Sequence, residues 1–318
     1  MSDLSFLSAI YFSRIRVVFE AINPLVLPPY KGSAFRGSMG ESFRNTVCLF
    51  PGMKCELCND RFICRFSQFY NSYVPETHPH SRKYSKSPHP YIIDPIPGSE
   101  VVFKPGDIFG FDLTLIGNVE DRLLMLREVF HRMGEAGMGK TRARFIPIKF
   151  FSLNADLHYD VLTYHDKPHK LSLAVLPMQP AENRITLHLD TPLRMIEHGK
   201  LLLSPPPFDL LIERIALRLG LLAHFYCGAP WPEEELETIQ PTGIQIAEAT
   251  IRESDWRRYS GTQDKTMNFD GIIGDITYEG EGIKDWMPLL TLGRWLHVGS
   301  TATFGLGYYQ FENDLFSS

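Results

Sequence analysis

Glu120-Asp-Arg-Leu-Leu-Met-Leu-Arg-Glu-Val-Phe-His-Arg-Met133 runs into Gly134-Glu-Ala-Gly-Met-Gly-Lys-Thr141 and then into Arg142-Ala-Arg-Phe-Ile-Pro-Ile-Lys-Phe150. The first part carries apolar residues at helical spacing, the middle is a glycine turn, and the last has strand character. The middle fits the phosphate-loop pattern G-x-x-x-x-G-K-[ST] letter for letter. That pattern functions only where it leaves a strand and opens a helix, because the helix N-terminus supplies the amides and dipole that hold phosphate. Here the order is helix, turn, strand. The nucleotide-binding reading is rejected, and no ATP is expected as a ligand.

The same order recurs near the end of the chain. Helical spacing at Ile283, Trp286, Met287 and Leu290 leads to His297-Val-Gly-Ser-Thr-Ala-Thr-Phe-Gly-Leu-Gly-Tyr-Tyr309. Working outward, the first half reads strand (12–21, with Ile15, Val17 and Phe19 alternating), helix (33–48), strand (109–117), helix (120–133), turn, strand (143–152). The second half reads strand (184–190), helix (209–227), strands (244–252 and 267–278), helix (283–296), turn (299–307) and a strand to about 312. Each half approximates βαββαβ. The expected class is α+β, with two tandem ferredoxin-like (RRM-like) domains. The first, 1–155, carries an inserted four-cysteine segment and a proline- and histidine-rich loop (75–98). The second is 156–318, after a stretch interrupted by Pro168, Pro177 and Pro180.

A length of 318 residues suits about two domains. With 44% apolar and 22% charged residues, a disordered or fibrous chain is excluded. The most apolar helical stretch, Leu210 to Cys227, is broken by Glu213, Arg214 and Arg218, so no membrane span is expected. Asp3 precedes the first apolar run and no basic segment leads it, so no signal peptide is read and a cytoplasmic location is expected. The net charge of −5 excludes a globally basic nucleic-acid binder but leaves local patches open.

Four of the five cysteines, Cys48, Cys55, Cys58 and Cys64, fall in the spacing C-x6-C-x2-C-x5-C. In a reducing compartment such thiols suit a tetrahedral metal rather than disulfides. A structural metal is expected there, zinc ahead of an iron–sulfur cluster, which uses the same ligands. No cofactor is expected for catalysis.

The glycines at 299, 305 and 307 would let backbone N–H groups approach an anion. Basic residues gather between Arg132 and Lys149, in the loop holding Arg82, Lys83 and Lys86 among histidines and tyrosines, and at Arg257-Arg258-Tyr259. Cations interleaved with aromatics suit a nucleic-acid backbone and its bases.

Together these residues resemble the CRISPR-associated endoribonucleases that process precursor CRISPR RNA, members of the RAMP superfamily. The likeness rests on Trp256-Arg-Arg-Tyr-Ser260, Gly271-Ile-Ile-Gly-Asp-Ile-Thr-Tyr278, Leu289-Leu-Thr-Leu-Gly-Arg-Trp-Leu-His-Val-Gly299 and Phe304-Gly-Leu-Gly307. Lys31-Gly-Ser-Ala-Phe-Arg-Gly-Ser-Met-Gly40, the cysteines, Pro88-His-Pro-Tyr91 and Gly134 to Arg144 agree with it. The resemblance implies two ferredoxin-like domains, binding of CRISPR repeat RNA, and metal-independent cleavage leaving a 2′,3′-cyclic phosphate. It places RNA contacts at Lys31, Arg36, Lys140, Arg142, Arg144, Arg257, Arg258, Gly299, Ser300, Gly305 and Gly307. Family members often carry a catalytic histidine near the first helix, yet residues 22–77 contain none, and Ser300 stands where the family tends to have lysine. His297 is therefore the expected acid or base, with Tyr259 orienting the reacting hydroxyl. His89 and His224 are its competitors. The rival expectation is a non-catalytic RNA-binding subunit of a CRISPR effector complex.

Overall fold

The computed structural model describes residues 4–118, 120–254, 257–260 and 265–312. They form two compact units, 12–170 and the flanking segments up to 11 and from 171.

The first unit contains β1 (Tyr11–Ala21), α1 (Gly32–Val47), β2 (Tyr91–Pro95), β3 (Ile108–Ile116), α2 (Glu120–Ala136), β4 (Phe145–Leu153) and β5 (Tyr159–Val161). Its sheet is antiparallel with order β2-β3-β1-β4-β5. Ile15, Val17 and Phe19 of β1 face the helices and are fully buried, as their alternation requires. Phe35, Met39 and Phe43 bring one face of α1 onto them, and Leu126, Phe130 and Met133 bring α2. The Phe19 ring lies 5.5 Å from Phe109 and 5.2 Å from Phe145, so aromatic packing fixes this core. Burying each such ring contributes about 1.5–3 kcal/mol.

Strand β2 lies within the stretch expected as a loop, 75–98. Tyr91, Ile92 and Ile93 are fully buried and pair with β3, so three apolar residues between prolines are enough for an edge strand. β2 supplies the missing β of the first βαββαβ unit.

The second unit contains β6 (Arg184–Leu193), α3 (Phe208–Tyr226), β7 (Gln245–Ser254), β8 (Gly271–Glu279), α4 (Met287–Leu296) and β9 (Tyr309–Phe311), with antiparallel order β7-β8-β6-β9. The strand order matches that of the first unit's β2-β3-β1-β4. Between β7 and β8 the chain makes a hairpin, Arg257–Ser260 against Lys265–Asn268. The fold is thus a tandem pair of ferredoxin-like units. The expected domain limit, 155/156, lies upstream of the division at 170/171, because β5 pairs with Phe151–Leu153 and completes the first sheet. The N-terminal segment belongs with the second unit. Phe6 and Leu7 are buried, and Ser5 Oγ donates to Glu235 Oε1 at 2.9 Å. Among the described residues, no helix is long and apolar enough to cross a membrane.

Candidate functional site

The turn after α4 is built by backbone groups that approach one another closely. A Cβ on Gly307 would lie 1.8 Å from the Val298 carbonyl oxygen, and one on Gly299 would lie 2.6 Å from that of Arg194. Both residues have positive φ, so glycine is required on two counts. The amides, however, point inward. Gly307 N–H donates to Pro192 O at 3.0 Å, Gly305 N–H to Ala302 O at 2.9 Å and Ser300 N–H to Arg194 O at 3.0 Å. The anion nest expected at Gly305 and Gly307 therefore does not form from these amides; both glycines are buried and hold the turn.

His297 lies inside the same turn and is 1% exposed. Its Nδ1 donates to the Leu306 carbonyl at 3.1 Å, which makes Nε2 the acceptor nitrogen in the neutral ring. The helix-capping role open to this histidine is filled from α3. Arg218 Nε donates to the carbonyls of Leu296 and His297, each at 3.0 Å. Burial lowers the Arg218 pKa to about 10. On the outer side stand half-buried Gly299, exposed Ser300 and the Arg194 guanidinium, whose Nη1 donates to Ser300 Oγ at 3.0 Å. Arg194 is a cation at the turn that no motif marks; its sequence signal is only that it follows a strand.

The first unit repeats the order of helix, turn and strand. Met138 and Ala143 exchange two backbone hydrogen bonds of 3.0 and 2.9 Å, with Gly137 and Gly139 at positive φ between α2 and β4. Lys140, Arg142, Arg144 and Lys149 are exposed around this turn. Arg142 forks onto Glu41 of α1, with Nη1–Oε2 at 3.0 Å and Nη2–Oε1 at 3.1 Å, so its charge is compensated locally.

Two expected RNA contacts turn inward. Lys31 is 6% exposed and its Nζ donates to Gly98 O at 3.1 Å; burial lowers its pKa. Arg36 is half-buried, with its guanidinium 5.3 Å from the Tyr70 ring centre and 5.9 Å from that of Tyr91. Arg257, Arg258 and Tyr259 lie on the hairpin strand, and their side chains are outside the described residues. The competitor histidines are held locally. His89 Nδ1 bonds Ser72 Oγ at 3.0 Å, and His224 Nδ1 bonds Ala229 O at 3.0 Å.

Cys48 ends α1, Cys55 and Cys58 flank a single turn, and Cys64 precedes the helix Arg65–Tyr70. All four are half-buried free thiols. Among the described residues, no three His, Cys, Asp or Glu side chains are grouped as a metal ion requires. The thiol chemistry suits a metal, and we propose from the cysteine spacing that these four would hold one, although they are not gathered in this arrangement.

The sheet faces opposite the helices carry groups without a local sequence signal. On the first sheet, Arg14 bonds Asp94 at 2.6 Å and Asp112 at 3.2 Å, while Arg16 and Tyr159 OH both bond Asp112 at 2.7 Å. Burial pushes the Tyr159 pKa up to about 12. On the second, His188 Nδ1 bonds Asp275 Oδ1, and Nε2 lies 3.5 Å from Asp190 Oδ1. The bond to Asp275 raises the His188 pKa despite partial burial. His188 and Asp275 line a cavity of about 450 Å³ with Arg184, Thr186, Glu248 and Gln310.

Residues 187–309, which include the glycine turn, match the family model described as CRISPR-associated endoribonuclease Cas6. Over these residues the chain is of the Cas6 type. Residues 9–172 match a second model, described only as an N-terminal domain. A protein of Archaeoglobus fulgidus described as uncharacterized is 23% identical over 298 residues, covering 90% of this chain and 93% of the relative. Among solved structures, a partial Cas6-RT-Cas1–Cas2 complex superposes with TM-score 0.58 at 11% identity over 97% of this chain. This chain spans 47% of that longer chain. A Cas6 product complex gives 0.55 at 15% identity, covering 95% of this chain and all of the other. Thermus thermophilus Cas6 gives 0.52 at 12%, covering 95% and 99%. At these identities the likeness is one of fold.

Proposed function

We propose that this Cas6-type chain binds CRISPR repeat RNA and cuts precursor RNA within the repeats by metal-independent acid–base chemistry. The observation that carries the reading is the family match over 187–309, which contains the turn that β6, α3 and α4 assemble. In this step the 2′-oxygen attacks phosphorus and the bond to the 5′-oxygen breaks. A base takes the 2′ proton, an acid protonates the leaving oxygen, and a 2′,3′-cyclic phosphate results. Dependence on the 2′-hydroxyl selects RNA over DNA.

Arg194 with Ser300 at one turn, and Lys140 with Arg144 at the other, are the cations offered to phosphate. Gly299 is retained as the half-buried point of close backbone approach. His297 is the proposed acid or base through Nε2, and Tyr259 the group orienting the hydroxyl; RNA must open the turn for His297 to act. One observation favours a second reading: an imidazole 1% exposed inside a turn also suits a subunit that grips RNA without cutting it. Incubating labelled repeat RNA with the protein in EDTA separates the two. A cyclic-phosphate product supports cleavage, and binding without product supports the scaffold.

A further inference from the structure

The four outer edges of the two sheets differ in length. β2 has five residues, and β5 and β9 have three each, whereas β7 (Gln245–Ser254) has ten. A long edge presents a row of N–H and C=O groups that template another strand, and native edges are commonly blunted by proline, lysine or shortness. β7 has neither proline nor lysine. Its one irregularity lies between Ile246 and Glu248, leaving 248–254 regular. Side chains from Gln245 to Thr250 are exposed, as are Arg252 and Glu253.

The charges on this edge select a register. Glu248, Thr250 and Arg252 share one face, opposite Thr277, Asp275 and Ile273 of β8. In an antiparallel pair about a two-fold axis through Thr250, Glu248 of each copy faces Arg252 of the other. Thr250 then faces Thr250, and Ala249 faces Ile251. Moving the axis by one residue in either direction removes both charge pairs, with Glu248 facing Thr250 or Ser254. Centring on Glu248 or on Arg252 sets like charges against each other. Glu248 also has a contact of 3.9 Å with Arg184, but both side chains are exposed and this holds it weakly.

We propose that β7 is a docking edge for a second copy of this chain, joining the four-stranded sheets of two second units into one continuous sheet. The contact is isologous, so one edge supplies both halves and the assembly closes as a dimer.

Sedimentation equilibrium of the RNA-free, full-length protein tests this. The expected mass is 2 × 36.4 = 72.8 kDa, against 36.4 kDa for one chain. Glu248→Arg sets the introduced arginine against Arg252 of the other copy, and Arg252→Glu sets the introduced glutamate against Glu248. Each single variant should therefore sediment as a single chain. The double variant E248R/R252E restores both pairs and should return to the dimer mass. Because it carries both substitutions, its recovery also shows that neither damages the fold. A wild type that stays at 36.4 kDa through the high micromolar range overturns the proposal. So do single variants that remain dimeric, or a double variant that stays monomeric with an unchanged circular-dichroism spectrum.

Discussion

Gly307 and Gly228 have nearly the same positive φ, +74 and +76, but different surroundings. A Cβ at 307 meets the Val298 carbonyl at 1.8 Å, while at 228 nothing lies within 4 Å. Gly228→Ala should cost about 1–2 kcal/mol from handedness alone. Gly307→Ala should cost about 1–3 kcal/mol more, because the backbone must also be displaced. Urea melts check this, and equal losses at the two sites would contradict the packing described for the turn. At His188, the bond to Asp275 raises the folded-state pKa above the ordinary 6.5. Its stabilisation is therefore fully present below about pH 6.5 and is lost as pH rises through the folded value. The difference in Tm between wild type and Asp275→Asn should shrink over that range, and a constant difference would rule the linkage out. At this scale the sequence is half legible. Ile15, Val17 and Phe19 read directly as a buried face. The Arg14 network does not, because Asp94, Asp112 and Tyr159 lie 80, 98 and 145 residues away and meet Arg14 only through strand pairing.

Among the elements, the repeated order of helix, glycine turn and strand is readable from periodicity and correctly excludes the phosphate-loop geometry. The direction of the turn's amides is not readable, since Gly305 and Gly307 donate to carbonyls chosen by the tertiary fold. Strand β2 is hidden because Tyr91-Ile-Ile93 is short, lies between prolines and is buried by non-local pairing with β3. The cysteine segment poses the opposite problem: its spacing is strong, yet the four thiols are not gathered. The proposal that they hold a metal rests on that spacing alone and predicts close to one zinc per chain by elemental analysis, with a lower Tm after chelation. Metal-free protein with an unchanged Tm would leave them as the half-buried thiols described.

For the whole molecule, a net charge of −5 and RNA binding are compatible only if binding depends on local cations. Lys140 is exposed beside the first turn and makes no packing contribution to the core, so Lys140→Ala should leave stability unchanged. It should weaken repeat-RNA binding and reduce the salt slope by about 0.7 for a single strand. An unchanged slope would remove Lys140 from the phosphate path. The central claim is that this tandem ferredoxin-like chain processes CRISPR repeat RNA. Single-turnover cleavage of repeat RNA in EDTA by wild type and His297→Ala tests it most directly. The account predicts one cut leaving a 2′,3′-cyclic phosphate, and a loss of roughly 10²–10⁴-fold in the variant with affinity little changed. Wild-type protein that neither binds nor cuts the RNA would contradict it.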